Sequence, residues 1–244
     1  MNVKKLLFNN VTSGGGDTPS ATLTQDQLIC HLDAKDISLK NWNDRMGNYD
    51  FTCSSLTSGS RNRFNLYGHT ATSTNFTFGS FPFTLEFTVS ITATTAWGNL
   101  FSVSTNATLF QINHRNNGYY GINSSHMSPT TIPKALATAK VNDGTLHILD
   151  FMFVSSKELI VYLDGVKQSD ITTITFKDTL LGLVGYIIGS KGNSTITGYL
   201  YSFRFYKKEL SEYEIRCNCL YEASQGRTHL SSDTEQSYFL KKWN

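Results

Sequence analysis

The chain is 244 residues long with a formal net charge of +2; 16% of its residues are charged, against about 25% in an ordinary globular protein, and 13% are aromatic. Disorder pairs low hydrophobicity with high net charge and few aromatics, so this composition excludes a disordered chain, and the near-neutral balance gives no electrostatic reason to expect nucleic acid or an anionic membrane as partner. Ser, Thr and Asn fill the gap, which together with the aromatics suits the pleated, half-buried surface of β-strands, and the length is enough for one large all-β domain.

Residues 1–25 stand apart. The opening MNVKKLLF has the lysine pair of an export signal, but its apolar run falls short of the ~7–15 residues such a signal needs. Val3, Leu6, Leu7 and Phe8 form a short apolar patch, and Thr12–Ser20 (TSGGGDTPS) reads as a Gly/Ser/Thr/Pro linker. The pattern fits either an anchoring arm on a hinge or a frayed terminus. No stretch approaches the ~20 apolar residues of a membrane-spanning helix, so no membrane insertion is expected.

From Leu28 onward the signals are strands. Phe81–Thr92 (FPFTLEFTVSIT) alternates apolar and polar residues, the period of a strand packed on one face, which places Glu86 on the solvent side. Shorter runs follow at Asn99–Val103, Thr108–Asn113, Tyr119–Asn123, Leu146–Val154, Glu158–Leu163, Leu183–Ile188 and Thr197–Tyr206, with Gly, Asn, Asp or Pro in many of the gaps. Crossover helices are missing, which favours a sandwich or jelly roll over an α/β fold. Asp164-Gly165 suits a type I′ hairpin turn, whose two central residues both need positive φ. Ser211-Glu212-Tyr213-Glu214 spells a capping box and predicts a helix from Glu212 to about Ala223. The polar stretch Ser224–Asn244 then reads as a tail, either an extended strap or a second contact arm. The expected division is an arm and linker over 1–25, a sandwich over 26–223 and a tail over 224–244. Of the four cysteines (Cys30, Cys53, Cys217, Cys219), the last two would point to different faces of the helix, and no second pair with zinc-like spacing accompanies them; ordinary reduced or buried thiols are expected.

Two stretches taken together resemble a known family. Leu32-Asp33-Ala34, Trp42-x-Asp44, Gly47-Asn48 and Phe51 match the opening of laminin-G-like, concanavalin A-type jelly rolls. His147 and Phe153, the strand and turn ELIVYLDGV at Glu158–Val166, Ile188-Gly189, GYLYSFRFY at Gly198–Tyr206 and Leu210–Ile215 resemble the family's closing half. The middle, Leu56–Pro133, matches by strand pattern alone. The resemblance implies an all-β, antiparallel sandwich with one short C-terminal helix, of the lectin-glucanase kind also found in bacteriophage fibre and decoration proteins. Function does not follow from it, because this superfold hosts lectins, adhesion modules and glycanases alike.

Glycanases of this superfamily carry paired carboxylates on one strand, and glycoside hydrolysis needs two carboxyls roughly 5–9.5 Å apart. Between Asp50 and Asp143 the sequence offers Glu86 alone, so no catalytic residue is assigned and a non-enzyme is expected. Calcium at the sandwich rim would draw on Asp33, Asp36 and Asp44, but the central loops are too poor in Asp for a strong site, and no cofactor is expected. Binding is the better reading. Asn113–His126 is dense in amides and hydroxyls around Arg115, Asn116, Asn117, Tyr119 and Tyr120, and Trp97 on another expected loop could add an aromatic face. Tyr119 and Tyr120 must alternate, one packing inward and one outward.

These observations favour a non-enzymatic bacteriophage virion protein, of head or tail fibre or decoration type, assembled in the host cytoplasm. Val3, Leu6, Leu7 and Phe8 would anchor it to other virion proteins, and the sandwich would present its loops to a host surface glycan or a neighbouring subunit. A homo-oligomer, a trimer above others, would bury the apolar face of the arm. Two alternatives stay open: a secreted or surface bacterial glycan-binding module, and a glycan hydrolase or lyase.

Overall fold

The computed structural model describes residues 19–54, 62–94, 97–103, 109–132, 141–189, 196–225, 227 and 243. The anchoring candidates Val3, Leu6, Leu7 and Phe8 lie outside them. The chain opens with β1 (Leu28–Ser38), β2 (Asn41–Asp44), β3 (Phe51–Cys53), β4 (Phe64–Asn65) and β5 (Thr70–Ser73). The long β6 (Phe83–Thr94) follows, then β7 (Trp97–Val103), β8 (Gln111–Arg115), β9 (Tyr120–Asn123), β10 (Met127–Ser128) and β11 (Thr131–Ile132). The second half holds β12 (His147–Ser155), β13 (Glu158–Leu163), β14 (Val166–Ile171), β15 (Thr175–Phe176), β16 (Tyr186–Gly189), β17 (Ile196–Tyr206) and helix α1 (Glu212–Ser224).

All pairings are antiparallel. One half of the sandwich runs β14-β13-β12-β6-β17-β1, with β4 also on β17; the other runs β2-β3-β5-β16-β7-β8-β9-β11. The two halves join through β1 and β2, whose register breaks between Leu32 and Ile37, so the chain turns a corner there. They then face each other across an aromatic core. Phe101 of β7 lies 5.4 Å from Phe203 of β17 and 5.9 Å from Phe87 of β6, while Phe78 stacks on Phe83 at 4.5 Å. The expected all-β sandwich with one C-terminal helix is what the chain forms.

The helix explains a departure from the sequence reading. Ser211 Oγ accepts from Glu214 N and the Glu214 carboxylate accepts from Ser211 N at 2.9 Å, the capping box read from the sequence. From that start α1 lies on the outer face of the first half, where Ile215, Cys219, Leu220 and Ala223 pack with Ile148, Met152 and Tyr206 in a second apolar cluster. The strand β6 is therefore covered on both faces. Glu86, expected to face solvent, is fully buried, and so are Thr84, Thr88 and Ser90 on the same side. The chain ends reach this layer too. Leu23 packs into the cluster and Thr24 N donates to Asn218 Oδ1 of α1, so residues assigned to the arm already belong to the domain. From the tail, Trp243 donates its indole N–H to the Asp164 carbonyl at the β13–β14 turn.

The turn itself is as expected, with Asp164 at φ 52° and Gly165 at φ 78°. His147 Nδ1 lies 2.9 Å from Asp164 Oδ2 and fastens the turn to β12. All four cysteines are buried and unpaired. The tightest strand contact is at Gly198, where β17 meets β6 at an irregularity in register. A methyl there would run into the Ser90 carbonyl and lie 2.8 Å from Ile91 Cα. Both obstacles are backbone in central strands, so Gly198→Ala should destabilise the domain by about 1–3 kcal/mol, read from denaturant unfolding. An unchanged midpoint would show that the two strands can part at no cost.

Candidate functional site

Two outer faces remain, and cross-strand register arranges each into rows. On the helix-covered face Tyr162, Asp150, Glu86, Arg204 and His31 are successive partners across β13, β12, β6, β17 and β1. A carboxyl pair thus exists after all: Asp150 and Glu86 are direct neighbours on adjacent strands, which corrects the expectation that the central strands hold none. Register alone brings directly opposed Cβ atoms to ~4.5–5.5 Å, within the range of glycosidase carboxyls. Both are sealed under α1 with no exposure, so substrate does not reach them in this conformation.

The charges are tied to one another instead. Arg204 Nε lies 2.7 Å from Glu86 Oε1, and its other edge pairs with Glu222 from α1. Glu222 Oε2 is 2.9 Å from Arg227 Nη1, and Arg227 continues to Asp33, which also pairs with Arg45 at 2.9 Å. Asn218 of α1 donates to Glu86 Oε2 at 2.7 Å. Burial pushes the Glu86 carboxyl above the usual carboxylate range, against the pull of Arg204. Asp150 is pushed up further, by burial and then by the Glu86 charge and a hydrogen bond shared with Glu86. Burial works against the charge on Arg204, but Glu86 and Glu222 outweigh it and hold the guanidinium above its ordinary value. His31, buried and next to Arg204, Arg45 and Arg227, falls to about 2 and stays neutral. The network is a clamp between helix and sheet.

The carboxylates considered for calcium are engaged elsewhere. Asp44 accepts backbone N–H groups from His31 at 2.7 Å and from Met46, Asn48 and Tyr49 at 3.0 Å each, which builds the turn after β2. Trp42, fully buried and stacked on Phe64 at 5.0 Å, donates Nε1–H to the Asp33 carbonyl. The Trp-x-Asp motif is thus a folding device. Asp36 pairs with Arg45. Among the described residues no group of three or more His, Cys, Asp or Glu side chains is arranged for a metal ion.

The other outer face has a different character. Asn41, Thr52, Thr72, Ile187, Ser102, Gln111, Asn123 and Thr131 are successive partners across β2, β3, β5, β16, β7, β8, β9 and β11. Eight strands at ~4.8 Å make a row roughly 34 Å long. Seven of its eight side chains are amides or hydroxyls, none is charged, and Ser102 alone is buried. Beside it run a second row, Asn99–Asn113–Gly121, and a third, Trp97–Arg115. The long row is neutral and dense in groups that both donate and accept hydrogen bonds, Arg115 brings a charge beside it, and Asn113 of the second row is fully buried.

The sequence candidates gather at one end of this face. Trp97 begins β7 rather than sitting on a loop, and its ring lies 3.7 Å from the Arg115 guanidinium. Asn116 and Asn117 are exposed in the turn between β8 and β9, closed by Arg115 N donating to the Tyr119 carbonyl at 2.9 Å. The stretch Asn113–His126 is thus mostly two strands and a tight turn, not a long loop. Tyr119 is half-buried, whereas Tyr120 points inward with no exposure, 4.9 Å from the His114 ring. Tyr120 is therefore a core residue and not a surface contact. The residues of the long row were missed because their signal is cross-strand register, which single strands do not reveal.

This architecture defines a class, the lectin-like jelly roll with a polar outer face, and the comparisons agree. A family model described as the concanavalin A-like lectin/glucanases superfamily matches residues 64–216, more than half of the chain, and the chain belongs to that superfamily. No curated protein matches it. Among solved structures, Trypanosoma rangeli sialidase in complex with sialic acid aligns with a TM-score of 0.61 at 19% identity, over 85% of this chain and 34% of that one. Domain 4 of AbnA, a GH43 extracellular arabinanase from Geobacillus stearothermophilus in complex with arabinotriose, aligns with a TM-score of 0.60 at 15% identity, over 79% of this chain and 98% of that domain. The botulinum neurotoxin serotype D binding domain aligns with a TM-score of 0.58 at 14% identity, over 81% of this chain and 52% of that one. The chain spans about a third of the length of the sialidases, and at these identities the likeness is one of fold.

Proposed function

We propose that this chain is a non-enzymatic display module of a bacteriophage virion whose sandwich binds a glycan on the outer face of its second sheet. One observation carries the glycan reading: the uncharged amide and hydroxyl row across eight strands. A sugar presents hydroxyls that donate and accept, and neutral Asn, Gln, Ser and Thr can answer both without the cost of stripping water from ions. The row is long enough for an oligosaccharide, and Trp97 stands at its margin. Arabinotriose on the arabinanase domain agrees with such a role at the level of fold. The carboxyl pair that the described strands bring together, Asp150 and Glu86, is shut under α1, which favours binding over hydrolysis. Four buried, unpaired thiols suit assembly in a reducing cytoplasm. The reading needs no cofactor.

An immobilised glycan panel tests it. Binding to at least one glycan is expected, and Gln111→Phe, a bulky apolar change in the middle of the row, should weaken it more than tenfold without lowering the melting temperature. No binding, or binding indifferent to that change, sinks the reading. Release of sugar that Glu86→Gln abolishes would make the protein an enzyme. The virion part rests on residues 1–25 as an anchor to other virion proteins and on assembly as a homo-oligomer, a trimer above others. Because Leu23 and Thr24 pack on the domain, the cut to make is 1–18. Particle attachment and assembly size should both change; if neither does, the arm is not an anchor.

A further inference from the structure

We infer that the glycan bound on this face is an acidic one, and that the half-exposed Arg115, held against Trp97, receives its carboxylate. The inference rests on the glycan reading and names the ligand class within it.

Charge distribution is the first support. Between Phe64 and Pro133 the sequence holds two charged residues, Glu86 and Arg115. Glu86 is committed to Arg204 on the opposite outer face, and among the described residues no carboxylate pairs with Arg115. Its guanidinium is under-hydrated as well, since burial lowers its proton affinity and no charge nearby raises it. The second support is the unmet hydrogen bonding around it. Nε and Nη2 of Arg115 are shielded from solvent without a hydrogen-bond partner, and so are both amide atoms of the fully buried Asn113 and Oδ1 of Asn123. Buried polar groups are normally satisfied, and a cluster of exceptions on one face of two adjacent strands calls for an explanation.

The third support is shape. Gly121 is the cross-strand partner of Asn113, and a Cβ there would lie 3.0 Å from the Ile132 carbonyl oxygen, 3.1 Å from Asn113 Oδ1 and 3.2 Å from Arg115 Nε. The glycine therefore keeps a side chain off the Nε edge of Arg115. Contact between the indole and the guanidinium orients the planar fork while leaving its edge to hydrogen-bond. A guanidinium edge matches a carboxylate, which accepts two parallel bonds from it. The neutral row beside it would take the sugar hydroxyls, so one ligand, a chain containing uronic or sialic acid residues, satisfies both parts of the face.

The test compares matched probes: polygalacturonate against its fully methyl-esterified form, hyaluronate against its carboxyl-reduced form, and sialyllactose against lactose. The expected result is at least tenfold tighter binding of the acid member in one pair or more. Arg115→Gln should erase that preference with an unchanged melting temperature; Arg115→Lys, which keeps charge without the fork, should retain part of it. Arg63→Gln is the control, since Arg63 lies 3.7 Å over the Tyr199 ring away from this face and should have no effect. Equal binding of acid and neutral partners, or a preference that survives Arg115→Gln, overturns the acidic ligand while the glycan reading stands. If no probe and no panel glycan binds, both fall.

Discussion

Arg204→Ala should cost the domain about 3–5 kcal/mol, the loss expected when one partner of a buried ion pair is removed and the other is left uncompensated. The site is unusually exposed to that penalty. Arg204 is wholly buried and joins Glu86 of β6 to Glu222 of α1, with burial already raising the Glu86 carboxyl. Removing the guanidinium leaves Glu86, with no exposure, beside Asp150 with no cation, and leaves Glu222 with Arg227 alone. For a chain of this length each kcal/mol moves the melting temperature by about 2–4 °C, so a fall on the order of 10 °C is expected. Two further variants separate charge from packing. Arg204→Lys keeps the charge but cannot span two carboxylates at once, and should fall between wild type and Ala. The triple change Glu86→Gln, Arg204→Met, Glu222→Gln removes the charges together and should recover most of the loss, because a buried network contributes little net stability beyond a well-packed neutral one. A triple variant as unstable as Arg204→Ala would mean that the packing of these side chains, and not charge balance, holds α1 to the sheet.

The same network shows what single strands conceal. Period-two alternation correctly gave β6 its two faces, and the capping box placed α1, yet alternation says nothing of what covers the polar face. Glu86 was therefore expected in water and lies under a helix. A signal was present in hindsight: Glu86 in FTLEFTV, Asp150 in HILDFMFV and Arg204 in YSFRFY are each the lone charge of an apolar strand. Lone charges of opposite sign in three apolar runs are what a buried network needs, since a charge with no partner could not stay there. The partners could not be matched, because register depends on where neighbouring strands slide to a stop, and bulges such as that between Asn99 and Phe101 shift it. Arg227 gave no signal at all, being one cation in a polar tail.

The open face was half legible for the same reason. Trp97, Arg115, Asn116, Asn117 and Tyr119 were found as a local cluster of polar and aromatic residues, and they do gather at one end of the face. Gln111, Ser102, Ile187, Thr72 and Thr52 were not, because they come from five segments and become neighbours through pairing alone. The shortage of charge between Phe64 and Pro133 has two structural meanings. It leaves the long row of the second sheet neutral, and among the described residues it leaves no carboxylate paired with Arg115.

Asp150→Asn should stabilise the protein at neutral pH, an unusual result for a change at a fully buried polar residue. Asp150 has no exposure, and burial, the Glu86 charge and a hydrogen bond shared with Glu86 raise its proton affinity well above the ordinary carboxylate value. An acid whose affinity for protons is higher folded than unfolded contributes most at low pH, where both states hold the proton. As pH rises past the unfolded value near ~3.9, the unfolded chain ionises while the folded one resists, and stability is lost up to the folded value. At pH 7 wild type therefore carries a penalty that a neutral amide of the same size avoids. Leaving a buried polar group unsatisfied costs about 1–3 kcal/mol, and an Asn here can still donate to Glu86. Thermal melts of both proteins from pH 3.5 to 8 read the effect: Asp150→Asn should melt higher by several degrees at pH 7, with the gap closing toward pH 4. A gap that is constant across the range would show that Asp150 does not titrate differently in the folded state. A less stable variant would show that the ionised carboxylate is held by Arg204 strongly enough to outweigh its burial.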